Sequence, residues 1–226
     1  MSQFYAQHSE DRRLVENIEF PPKPRHFKII EIGICDFEIL SENFDDDPCL
    51  LVEPHPYFCQ KLRDQNRLNW IIEESAIAKK RGKFPLYFMP LDEIEKNELD
   101  WWMRGTSALK PVALMKETCE EKNVEHLMQA TEVETMTLDD LFQKYSVTSM
   151  DILKIDAEGC DQFIMEDYIE LIKKNPALKA EKIDFENTWF DSEERLIGIE
   201  SGLRELGYVV SRYESQSLAI KKELMA

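Results

Sequence analysis

Long apolar runs are missing from this sequence. None approaches the ~20 residues that a bilayer-spanning helix needs. The opening stretch, MSQFYAQHSEDRRLVENIEF, lacks the apolar core of a signal peptide. No membrane partner is expected, and the expected location is cytoplasmic. Basic residues are scarce: 28 Lys and Arg face 45 Asp and Glu, for a formal net charge of −17. Nucleic-acid affinity rests largely on phosphate neutralisation by Lys and Arg, so neither DNA nor RNA is an expected partner. Anionic membrane surfaces are disfavoured on the same ground. The five cysteines (Cys35, Cys49, Cys59, Cys119, Cys160) contain no CxxC pair, and the four histidines (His8, His26, His55, His126) no HxxxH or HxH. Those absences argue against a disulfide framework and against a zinc site.

What is present reads as one α/β domain over residues 1–226, with 43% hydrophobic residues to build a core. Residues 1–25 are polar and end in PPKPR, and residues 1–26 suggest an N-terminal arm or lead-in helix. FKIIEIGI (27–34) is too short and too isoleucine-rich for a helix, and reads as a strand buried on both faces. A short polar helix over 38–43 is expected next. CLLVE (49–53), WIIEESAIA (70–78), DILKID (151–156) and KIDFE (182–186) read as further strands. PYFCQKLRDQN, CDQFIMEDYIELIKKN and SEERLIGIESGLRELG read as helices between them. This alternation predicts a mostly parallel sheet with helices on both faces. YVVSRY and SLAIKK suggest a closing antiparallel pair, while residues 91–130 form a less regular insertion.

In such sheets ligands bind beyond the carboxyl ends of the strands, where the strand order reverses. The first strand ends in Glu31-Ile32-Gly33-Ile34-Cys35-Asp36, and Gly33 lets backbone pass close to a ligand. Glu53 ends the second strand twenty residues later, an acid placed to bind ribose hydroxyls. A dinucleotide would want two more glycines after Gly33 for its pyrophosphate. Here the run continues Ile34-Cys35-Asp36-Phe37-Glu38, with two acids that repel phosphate. S-adenosylmethionine, phosphate-free and cationic at sulfur, suits that edge better than NAD. At the later strands, alternation puts Lys154, Asp156 and Glu158 on one side of an exit, near Glu186 and Asn187. Acids meeting there can act as a general base or share a divalent metal. The plainer alternative is an ion pair of Lys154 with one of them. Trp101 to Ser107 could cover a substrate, though tryptophan pairs are more often core. Cys160 has no histidine at readable spacing and is not expected to act as a nucleophile.

These segments together resemble the FkbM-type methyltransferases over about residues 28–213: IIEIG, LLVEPHPYFCQKLRDQN, ESAIA with KFPLYF, GTSAL, TMTLDDLF, DILKIDAEGCD and KIDFEN, in family order. The resemblance implies a class I, Rossmann-like methyltransferase fold: seven strands, mostly parallel, with an antiparallel last strand. It implies S-adenosylmethionine as cofactor, with Glu31, Gly33, Ile34, Cys35 and Asp36 by its methionine part. Glu53 with Pro54 and His55 would meet the ribose, and Ser75, Ala76 and Ile77 the adenine. Asp156 and Glu158, with Lys154 beside them, would face donor and acceptor, and Asp156 is the first choice for general base. The family's typical reaction is O-methylation, so the expected acceptor is a hydroxyl on a sugar or small metabolite. Phe37 stands where the family's second glycine falls. That departure keeps open a second reading, an inactive relative that binds a nucleoside or carbohydrate as an interaction module. A weaker analogy, to catechol-type O-methyltransferases, implies Mg2+ held by Asp156, Glu186 and Asn187. A homodimer is expected from frequency alone.

Overall fold

In the computed structural model, the described residues are 23, 25–35, 39–188 and 190–225. The N-terminal arm expected over 1–26 lies almost wholly outside them, as do Asp36, Phe37 and Glu38. The apolar runs become strands β1 (Arg25–Ile32), β2 (Cys49–Val52) and β3 (Trp70–Glu73). Helix α1 (Pro56–Asp64) joins the last two, with proline in its first turn, where a missing N–H costs nothing. The chain then makes strands β4 (Ala76–Ile77) and β5 (Gly82–Phe88), followed by helices α2 (Leu91–Lys96) and α3 (Ala113–Lys122). After these come β6 (Gln129–Met136), α4 (Leu138–Lys144), β7 (Val147–Ile155) and α5 (Asp161–Lys174). The last elements are β8 (Lys182–Glu186), α6 (Glu193–Glu205), β9 (Tyr208–Tyr213) and β10 (Gln216–Lys221).

Seven strands make one sheet in the order β3-β2-β1-β7-β8-β10-β9, parallel except that β10 runs antiparallel to both neighbours. The order reverses between β1 and β7, where Ile32 pairs with Ile155. Alternation sorts the side chains into two faces. Ile30, Ile32, Leu50, Val52, Leu153 and Ile155 join the main core with Leu141 of α4, Met165 and Ile172 of α5, and Leu203 of α6. Ile29, Cys49 and Leu51 point the other way and pack with Leu62 of α1. Helices therefore cover both faces, as the unbroken apolar strands required. Among the described residues, no helix is long and apolar enough to cross a membrane.

Three expectations change. The strand read over 70–78 stops at Glu73; the chain leaves the main sheet, and Ala76–Ile77 pairs with β6 in a second sheet ordered β4-β6-β5. Pro85 fits within β5 because that strand is an edge of the small sheet. The polar helix read over 38–43 is a 3-10 turn, Leu40–Asn43. Finally, the insertion read as irregular holds α2 and α3 around its own buried cluster, which includes Met89, Ile94, Met103, Met115 and Cys119.

Candidate functional site

A cavity of about 400 Å³ opens at the carboxyl ends of β1, β2, β7 and β8, at the reversal of strand order. That volume lies within the range of ordinary small-molecule sites. Gly33 sets its floor. The residue takes φ +79°, and a Cβ there would stand 1.7 Å from the carbonyl oxygen of Asp156. No other residue type allows β1 and β7 to leave the sheet so close together. Ile34, Cys35, Glu53, Pro54, Ser75, Ala76, Ile77, Lys154, Asp156, Glu158 and Glu186 also line the cavity.

Glu53 is 4% exposed. Its Oε2 accepts from the Ile34 N–H at 3.0 Å and its Oε1 from the His55 N–H at 2.6 Å. One acid thus ties the turn after β1 to the turn after β2. Burial pushes its carboxyl up to about 8, against those two donors. His55 does not line the cavity. Its Nδ1 accepts from the Tyr57 N–H, capping α1, and its ring stands edge-on to Phe88 at 4.5 Å. Glu31 is fully buried away from the cavity, accepting from the Leu40 N–H, from the Ser41 N–H and hydroxyl, and from Lys154 Nζ at 3.2 Å. It anchors the 3-10 turn and holds Lys154. Burial works to lower the Lys154 pKa, but the charges of Glu31 and Asp156 leave it raised.

The turn from β7 into α5 gathers acids. Glu158 and Gly159 both have positive φ, +45° and +89°. A non-glycine residue in that region is strained, and such strain concentrates at functional sites. Asp161 holds the turn: its carboxylate accepts from the N–H groups of Ala157 and Gly159. Burial, then the charge of Asp156, push the Asp161 carboxyl up to about 7. Glu186, at the end of β8, is raised to about 9 by burial and by Glu158, Asp161 and Asp156. One carboxylate oxygen each from Asp156, Glu158 and Glu186 lies within 4.8 Å of the others, a set that could hold a cation. Asn187 is not among the lining residues, and its amide donates to Ser217 Oγ at 3.0 Å. Cys160 does line the cavity, but burial and Asp161 push its thiol up to about 11, a poor nucleophile at neutral pH.

Sequence reading passed over Asp161, whose only local signal is an acid opening a helix. It also passed over Phe58, Leu86, Leu109 and Leu114, which line the cavity from α1, β5 and the insertion. Trp101 to Ser107, read as a possible cover, also contributes lining residues. Asp36 lies outside the described residues.

The family model described as Methyltransferase FkbM domain matches residues 32–210. No curated protein and no solved structure matches the chain.

Proposed function

Because the chain belongs to the FkbM methyltransferase family, whose members use S-adenosylmethionine, we propose that it methylates a hydroxyl oxygen of a sugar or other small metabolite. The observation that carries the reading is Glu53: a buried acid ending β2, shared between two backbone N–H groups, on a cavity at the reversal of strand order. A carboxyl has more acceptor positions than those two donors use, leaving capacity for ribose hydroxyls. Ala76, Ile77 and Leu86 offer apolar surface for an adenine. Among the described residues no arginine lines the cavity to recognise phosphate, and the acids that do line it suit a cationic sulfonium. These residues fit the donor.

When bound, the donor supplies an electrophilic methyl group, whose bond to sulfur breaks as the bond to the acceptor oxygen forms. The protein aligns the acceptor and takes its proton. Asp156 is the group assigned to accept that proton on a carboxylate oxygen. Glu186, raised to about 9 by burial and the neighbouring carboxylates, is placed to hold a proton at neutral pH when no cation is bound. Lys154, anchored on Glu31, fixes positive charge beside Asp156. Oxygen donors such as Asp156, Glu158 and Glu186 take magnesium or calcium in preference to zinc.

The test is calorimetric titration with S-adenosylmethionine and S-adenosylhomocysteine, with and without magnesium, followed by detection of S-adenosylhomocysteine in the presence of polyhydroxylated acceptors. Asp156→Asn is expected to lower the turnover rate by about 10²–10⁴-fold, the usual size of an acid–base contribution, and to change donor affinity little. Equal losses in both would remove the base role from Asp156. Donor binding without turnover of any acceptor would favour the inactive-relative reading.

A further inference from the structure

The lining of the cavity has two origins. Strand ends supply the glycine and the acids; the segment between β5 and β6 supplies Trp101, Trp102, Ser107, Leu109 and Leu114. The second group is apolar apart from Ser107, and partly open. Trp101 is 65% exposed and Leu114 42% exposed, although both line the cavity. Large apolar side chains partly exposed together at the rim of a pocket are suited to contact a ligand. Ser107 adds a hydroxyl oxygen that is buried without a hydrogen-bond partner among the described residues. Such a group costs stability until something satisfies it.

The segment is also held in place. Tyr87 and Ala108 exchange both backbone hydrogen bonds, at 2.8 and 3.0 Å, fastening the loop to β5. Met103 within it and Met115 just after it are buried in the insertion's own cluster. The exposed side chains therefore project from a fixed support.

Charge then narrows the ligand. Asp156 and Glu158, whose charges help raise Glu186, line the cavity, and among the described residues the lysine that lines it, Lys154, is paired with Glu31. A carboxylate or phosphate on the acceptor would meet like charge, which is strongly disfavoured where water is excluded. Resting on the donor reading above, we propose that the 101–114 segment is the acceptor subsite. It takes an uncharged, hydroxylated compound bearing a ring, one apolar face of which lies on Trp101 and Leu114.

The test uses protein saturated with S-adenosylhomocysteine and three probes: phenyl β-glucoside, phenyl β-glucuronide and sorbitol. Calorimetry is expected to show binding of the glucoside, with the glucuronide and sorbitol each at least about tenfold weaker. Trp101→Ala should weaken the glucoside by about tenfold, the size of a lost stacking contact, and Trp101→Phe should recover most of it. The affinity for S-adenosylhomocysteine should be the same in all three proteins. Equal binding of the three probes would overturn the proposal while leaving the donor reading intact, as would a Trp101→Ala variant that binds the glucoside normally. A parallel loss of S-adenosylhomocysteine binding in Trp101→Ala would move Trp101 to the donor site and also overturn it. Failure of the unaltered protein to bind S-adenosylhomocysteine would remove the donor reading and this proposal with it.

Discussion

Glu53 couples the candidate cavity to the stability of the fold. An ordinary glutamate titrates near 4.5, whereas burial raises this one to about 8. Between those values the folded chain holds a proton that the unfolded chain has released. Its contribution to stability is fully present below the lower value and is lost as pH rises through the upper one. Glu53→Gln cannot titrate, so its urea midpoint should fall less than that of the unaltered protein between about pH 5 and pH 8. Identical slopes would mean that Glu53 is ionised in the folded state throughout. The position of this residue was legible in the sequence because it follows from spacing: an acid at the end of the second strand, twenty residues past Gly33. Glu31 and His55 were not, and their neighbours in space explain why. The partners of Glu31 lie on a 3-10 turn and on β7, more than a hundred residues on, and the ring of His55 packs against Phe88 of β5. No local pattern reports such contacts. Asp161 went unread for the opposite reason, since an acid at a helix start is too common to single out.

At the scale of elements, the insertion behaves as a small core beside the large one. Met115 is fully buried in it, and Met115→Ala should cost about 2–5 kcal/mol of local stability. Hydrogen exchange is expected to accelerate across residues 89–128 and to stay slow in β1, β2 and β7. Uniform acceleration through the main sheet would show instead that the two clusters open together. The elements of the main sheet could be read from sequence because their apolar runs are unbroken and have turn residues at their ends. The second sheet could not. β4 is two residues long, β5 contains a proline, and β6 gains its place by pairing with both. Its existence depends on where the chain turns after Glu73, and WIIEESAIA does not mark that point.

At the scale of the whole molecule, the donor should act as a clamp on the reversal between β1 and β7. A ligand that binds only the folded state, at a hundred times its dissociation constant, adds about 2.7 kcal/mol. For a chain of this length that corresponds to a rise of roughly 5–10 °C in the unfolding temperature. S-adenosylhomocysteine should produce such a rise in a thermal melt, and NAD none. A shift with NAD would reopen the dinucleotide reading that the missing glycines oppose. The sheet order carries a last consequence, for biosynthesis. β10 lies between β8 and β9, so both of those strands wait for a segment made after them. While the ribosome has yet to release residues 216–221, β8 has an open edge and β9 has no neighbour to pair with. The nascent chain can assemble β1, β2, β3 and β7 as they emerge, but not this side of the sheet, and an exposed strand edge invites pairing with other chains. Until residues 216–221 have emerged and inserted, β8 therefore keeps an edge open to pairing with other chains.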